Sequence, residues 1–286
     1  WGAWCSISDP EIAFTTDQWK IKKQFLDSAL FYYDQLSARL NFQYHTASKN
    51  DAASLPITDF SIDSLHGGLA GIITGGKNIV SDTAAYKFFE PLYVSGINPS
   101  KNNRPQQVVI KETENSAQKK TIIMEASLPS IPAYTVTYTL YKKENRLTCH
   151  YRFNKLAEKN KESLHIAFPF NFNNPGIAYG SDGNRLLYNS SQLAGSNKDF
   201  VCVEKDLQVQ AAGIRATLSS PLICLYEVGA IIDENKMNGN KVWKRSNDNT
   251  ASLFLYVFNN YWHTNYKAYQ DGHFDFEIEL SFQKEQ

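Results

Sequence analysis

The spacing of hydrophobic and polar positions changes near residue 50, and that change divides the chain. From Gln18 to about Leu40, Phe25, Leu26, Ala29, Leu30, Tyr33, Leu36 and Leu40 recur at helical spacing with no Gly or Pro between them, which predicts one long amphipathic helix. Thr15 as N-cap, with Gln18 three residues on, fits a capping box at its start. At 1.5 Å per residue the helix would extend roughly 35 Å. Its apolar stripe needs a partner, whether the β region, upstream helices or both.

After the polar segment Ser48 to Ser54 the period becomes two. Pro56 to Ile62 reads as a strand, and Leu65 to Lys77, with Gly67-Gly68 and Gly75-Gly76, as a glycine-flanked hairpin. Val108 to Ile110, Thr121 to Ala126 and Tyr134 to Tyr141 follow as strands. In the last, Tyr134, Val136, Tyr138 and Leu140 share one face and Thr135, Thr137 and Thr139 the other. Leu147, Cys149, Tyr151 and Phe153 repeat the pattern after a tight turn at Glu144-Asn145. Leu164, Ile166, Phe168, Phe170 and Phe172 continue it, with Pro169 implying an edge strand or a bulge. Asn173 to Lys198 reads as a long loop with short strands, and strands resume at Phe200 to Val203, Leu207 to Ala211, Ile214 to Leu218 and Leu222 to Tyr226. Asp233 to Asn249 is a polar surface excursion. A dozen or so strands without intervening helices predict a mainly β chain. It would be a large antiparallel sandwich over 51–286, preceded by an N-terminal helical segment over 1–50.

The last two strands frame the stretch that carries candidate chemistry. Leu253 to Phe258 is a continuous apolar run, and Phe274, Phe276, Ile278, Leu280 and Phe282 alternate with Asp275, Glu277, Glu279 and Ser281. Between them stands Asn259-Asn260-Tyr261-Trp262-His263-Thr264-Asn265-Tyr266. Amides pair with hydroxyl groups and flat rings stack on the apolar faces of sugars, so this composition on a loop mounted between strands points to carbohydrate. Trp262 and Tyr266 are candidates for stacking, and Asn260, His263 and Asn265 complete the candidate substrate-binding set. The competing reading is architectural, with the amides capping loop backbone and Trp262 in the core.

Charge narrows the partners. Lys+Arg and Asp+Glu each number 29, so no global field favours nucleic acid or an anionic membrane surface. The apolar runs fall far short of the roughly 20 residues that cross a bilayer as a helix. Trp1-Gly2-Ala3-Trp4 lacks the basic and apolar regions of a signal peptide, and a start without Met reads as the middle of something longer. Cys5, Cys149, Cys202 and Cys224 have no C-x-x-C spacing; at least three lie in apolar runs and are expected as buried free thiols, or at most an opportunistic pair.

Other chemistry is weaker. His273-Phe274-Asp275 would place two ligand types on one strand face, but nothing nearby completes a metal set, so a solvated strand face is expected. Asp275, Glu277 and Glu279 read as edge protection. Ser64 and His66 are near neighbours by chance proximity, and Cys149 adjoins His150, but adjacent strand residues such as this second pair point to opposite faces, which hinders a nucleophile–base hydrogen bond. No catalytic residue and no metal ligand is assigned within this chain.

Several segments resemble the C-terminal part of glycoside hydrolase family 38, the α-mannosidases, and their bacterial relatives. They are Trp1-Gly2-Ala3-Trp4 with Ser6-Ile7-Ser8-Asp9-Pro10, Asp17-Gln18-Trp19, His66-Gly67-Gly68-Leu69, Ala167-Phe168-Pro169-Phe170, Gln192-Leu193-Ala194-Gly195-Ser196, and Asn259 to Tyr266, the most specific. The resemblance implies a galactose-mutarotase-like supersandwich that follows a catalytic barrel and a helical bundle. It also implies that zinc and the carboxylate nucleophile of a retaining mechanism belong to that missing barrel. The expected partners are then a mannose-containing glycan and the upstream barrel of the same polypeptide, in a bacterial periplasmic or extracellular setting, and the chain alone is expected to be inactive. The alternative is a stand-alone carbohydrate-binding sandwich module. A mutarotase or lyase of the same fold would need a His and a carboxylate converging in the sandwich cleft.

Overall fold

The structure, a computed structural model, describes residues 53–99, 102–181, 183–192, 196–231, 251–261 and 267–285. Contacts divide the chain into Trp1–Ser48 and Lys49–Gln286, and the described residues all belong to the second unit. The expected helix from Gln18 to Leu40 and its capping box lie outside them.

Among the described residues there is no α-helix, and every strand pairing is antiparallel. In chain order the strands are β1 Ile57–Ile62, β2 Leu69–Thr74, β3 Lys77–Asn78, β4 Glu90–Ser95, β5 Asn102–Asn103, β6 Gln106–Asn115, β7 Lys119–Leu128, β8 Ile131–Tyr141 and β9 Arg146–Lys155. They continue with β10 Glu162–Pro169, β11 Gly176–Ser181, β12 Asn184–Leu187, β13 Phe200–Cys202, β14 Leu207–Ala211, β15 Ile214–Ser219, β16 Leu225–Val228, β17 Ser252–Asn259 and β18 Gly272–Lys284. A nine-stranded sheet has the order β12-β11-β14-β15-β18-β9-β8-β7-β6, and a six-stranded sheet the order β13-β16-β17-β10-β4-β5. The hairpin β1-β2-β3 forms a small third sheet.

The period-two pattern decides which face each strand buries. On β8, Tyr134, Val136, Tyr138 and Leu140 are buried, as are Phe276, Ile278, Leu280 and Phe282 on β18, while Asp275 and Glu277 between them are exposed. One continuous core joins these to Leu164, Ile166 and Phe168 of β10, Leu253 and Leu255 of β17 and Tyr226 of β16. A cluster of rings fills it: Phe88 meets Phe89, Phe168 and Phe170 edge-on, at centroid distances of 4.9, 5.4 and 5.0 Å. Phe89 holds a left-handed backbone (φ 58), unusual for a bulky residue. Its N–H donates to Ala167 O at 2.8 Å and its carbonyl accepts from the Tyr151 hydroxyl, so two neighbours fix the bend.

Three expectations need correction. The irregularity that Pro169 predicts lies elsewhere in the strand: β10 is an interior strand, Pro169 is its last residue, opposite Ser252, and the register irregularity falls at Leu164/His165. A proline is tolerated there because the ladder is ending. β10 is also not one-faced. Every residue from Glu162 to Pro169 is buried, with Ala167 joining Leu92 and Phe254 in a second apolar cluster on the opposite side. Finally, Cys149 is a buried free thiol as expected, but Cys202 and Cys224 are exposed: Cys202 is the last residue of the three-residue β13, and Cys224 lies just before β16.

Candidate functional site at the root of the 259–266 loop

β17 ends at Asn259, opposite Ser163 on β10, so the polar-aromatic loop leaves the sandwich beside the start of β10. Of the candidate residues, Asn260 lies within the described part, and Trp262, His263, Asn265 and Tyr266 lie outside it. Asn260 is buried and its side-chain amide is committed to backbone. Its Oδ1 accepts from Glu162 N at 2.7 Å, and its Nδ2 donates to Glu158 O at 3.1 Å and Asn160 O at 2.7 Å. Its main chain adds two more bonds, N to Glu162 O at 3.2 Å and O from Lys161 Nζ at 3.1 Å. The amide thus holds the β9–β10 connection against the root of the loop, the capping role weighed above. Asn259 Oδ1 accepts from Tyr261 N at 3.2 Å, turning the chain at the same point.

Directly beneath sits a buried ion pair. Lys155, at the end of β9, and Glu162, at the start of β10, join their side chains across the sandwich with almost no exposure. Glu162 Oε2 also accepts from the Tyr93 hydroxyl and, at 3.0 Å, from Ser130 Oγ. Lys155 Nζ donates to Leu156 O at 3.0 Å and lies 5.1 Å from the centre of the Phe258 ring. Burial, and after it the hydrogen bond to Glu162, pushes the Tyr93 phenol well above its ordinary pKa, so it remains a protonated donor.

A second buried network reaches the loop from the other face of β10. His165 Nδ1 is 2.8 Å from Glu227 Oε2, both residues being 1% exposed. His165 Nε2 lies 2.8 Å from Ser163 Oγ, which shares a 2.7 Å hydrogen bond with the Tyr261 hydroxyl. Tyr256 stacks on the imidazole at 4.5 Å. Ser163 and His165 are two apart on one strand and therefore share a face, which is what lets them bond. A His and a carboxylate do converge in the sandwich, but they face each other at 2.8 Å, closed from solvent, and the imidazole reaches Tyr261 through Ser163. The signal for both networks was a Glu, a Ser and a His inside an otherwise apolar strand: charged residues are almost never buried unless paired.

Of the other candidates, Asp275, Glu277 and Glu279 protect no sheet edge, because β18 is an interior strand between β15 and β9. Cys149 is buried and the neighbouring His150 points to the exposed face, where its Nε2 lies 2.6 Å from Asp275 Oδ1 and holds the Asp275 carboxyl below its usual range. His273 and Asp275 stand on the solvated side of β18, 3.8 Å apart at closest. Among the described residues no three His, Cys, Asp or Glu side chains converge as a metal site.

Asn260→Ala would strand the Glu162 amide and two carbonyls, with an expected loss of about 2 kcal/mol of folding free energy. Chemical denaturation measures the loss. Faster hydrogen exchange at the Glu162 amide locates it at this root.

No protein-family model matches this sequence, and no curated protein sequence does. Solved structures do. An α-mannosidase from Enterococcus faecalis V583 superposes with a TM-score of 0.54 at 14% identity, over 79% of this chain and 28% of that one. The fold of this chain is the fold of that portion of the α-mannosidase. A glycosyl hydrolase family 38 protein from Enterococcus faecalis gives 0.54 at 13% identity, over 79% of this chain and 29% of that one. A galactose mutarotase-like protein from Lactobacillus casei gives 0.43 at 12% identity, over 81% of this chain and all of that one. The chain therefore spans less than a third of the length of the two α-mannosidase-type structures it matches.

Proposed function

We propose that this chain is the C-terminal, helix-plus-sandwich portion of a family-38-like α-mannosidase, where it stabilises the catalytic barrel and contributes the 259–266 loop to the rim of the sugar site. The observation that carries the reading is the sandwich shared with the α-mannosidase structures over 79% of this chain. The anchoring of the loop root by Asn260 and Tyr261 supports it, because two independent buried networks hold the stem of a loop whose next residues are Trp262, His263, Asn265 and Tyr266. A recognition loop gains from such mounting, since a preordered stem lowers the entropy lost on binding. In this reading zinc and the reacting carboxylate are supplied by residues upstream, and the ligand is a mannose-containing glycan.

Two measurements test it. The isolated chain is expected to show no turnover of an aryl α-mannoside; turnover abolished by a chelator would overturn the proposal. In the enzyme carrying its upstream region, Trp262→Ala and Tyr266→Ala are expected to weaken substrate affinity roughly tenfold, the loss of about 1.4 kcal/mol of stacking. Unchanged affinity in both would reduce the loop to architecture. Micromolar binding of mannose oligomers by the isolated chain, measured by calorimetry, would instead identify a stand-alone binding module.

A further inference from the structure

Cys202 and Cys224 stand side by side at the edge of the six-stranded sheet. β13 pairs with β16 through Phe200↔Glu227, Val201↔Tyr226 and Cys202↔Leu225, and the next rung is the 2.7 Å bond from Val203 N to Cys224 O. The two cysteines are thus offset by one residue across neighbouring strands. With opposed Cα atoms about 5 Å apart and a rise of about 3.4 Å, that offset separates their Cα atoms by about 6 Å, inside the roughly 4.4–6.8 Å that disulfides span. In an unbroken ladder Cys224 would share the buried face of Val203. It does not, because the chain turns at Ser220–Ile223, just before β16, and Cys224 is exposed like Cys202 while Val203 is buried. Both thiols are exposed, and Cys224 is near enough to Cys202 to help raise its pKa.

We propose that Cys202 and Cys224 form an oxidative modification site, a cross-strand disulfide that fastens β13 to β16. With a hydroperoxide as oxidant, one thiolate attacks the peroxide oxygen. The O–O bond breaks, the alcohol or water leaves, and a sulfenic acid forms. The second sulfur then attacks the sulfenic sulfur and expels water. In sum, two thiols and one hydroperoxide give one disulfide, one alcohol (or water) and one water, with two electrons passing from the sulfurs to the peroxide. Burial, and after it the neighbouring thiol, raises the Cys202 pKa, which keeps the thiolate fraction small at neutral pH and makes the reaction faster as pH rises. The fastening has a structural consequence. β13 is an edge strand of three residues, and its Phe200 stacks on Tyr256, the ring that stacks on His165. The proposal does not depend on the carbohydrate reading.

Treatment of the purified chain with hydrogen peroxide, then alkylation, trypsin digestion and mass spectrometry, tests it. Cleavage after Lys198, Lys205, Arg215 and Lys236 isolates Cys202 on Asp199–Lys205 and Cys224 on Ala216–Lys236. The expected product is these two peptides joined, two hydrogens lighter than their sum, with the oxidised chain melting at a higher temperature than the reduced one. Cys202→Ser should abolish both the product and the shift in melting temperature. Separate alkylation of both peptides after oxidation, or a link from either to Cys5 or Cys149, would overturn the proposal.

Discussion

Replacing Glu162 with alanine is expected to cost about 3–5 kcal/mol of folding free energy, a large part of the stability of an ordinary domain. The reason lies in what remains. Lys155 Nζ keeps the Leu156 carbonyl and the face of Phe258, but its charge stays inside the sandwich with no counter-charge. The Tyr93 and Ser130 hydroxyls lose the same acceptor. The pair itself is not expected to be strongly stabilising, because removing two charges from water offsets much of their attraction. Lys155→Met combined with Glu162→Met should therefore recover most of the loss. Guanidinium unfolding of the three proteins decides the matter: a Glu162→Ala loss below about 1 kcal/mol would show that Lys155 reaches solvent without its partner.

Phe88→Ala is expected to be of similar size, about 3–5 kcal/mol. Phe88 is fully buried, and three rings approach it edge-on, Phe89 at 85°, Phe168 at 74° and Phe170 at 86°. Truncation removes the transfer free energy of the ring and leaves a cavity that these neighbours cannot fill without leaving their rotamers. They are also tied down: Phe88 exchanges both backbone bonds with Leu69, and the next residue, Phe89, is held in its left-handed bend. Phe88→Leu should cost about 1–2 kcal/mol, since it keeps volume and loses ring-edge geometry. Equal losses for the two variants would mean that the ring geometry, and not the filled volume, carries the stability.

The strands of the nine-stranded sheet were largely legible because they bury one face. On β8, β9 and β18 the alternation of apolar with Thr, Arg, Asp and Glu positions matches the buried and more exposed residues, except that Thr139 and Thr148 are buried. The six-stranded sheet was less so. β4, Glu90–Ser95, is buried for five of its six residues and carries no alternation to read. β10 offered an alternation that shows one apolar face, yet the positions between, Ser163 and His165, also lie in a buried network. The stretch from Asn259 to Tyr266 stood out by its composition, and Asn259, Asn260 and Tyr261 are its described residues. Its anchorage was not legible, because the acceptors of the Asn260 amide are the carbonyls of Glu158 and Asn160, about a hundred residues away in the chain.

Local pattern alone was enough to establish an antiparallel β chain and its main strands. These follow from the period of side-chain direction along a strand, which each segment carries by itself. The tertiary structure decided which strands lie inside the sheet, that both faces of β10 are covered, and which buried polar side chains meet: Lys155 with Glu162, His165 with Glu227. It also placed Cys202 beside Cys224. Such pairings depend on register between segments distant in sequence, and register is set by the packing of the whole core and not by any one strand.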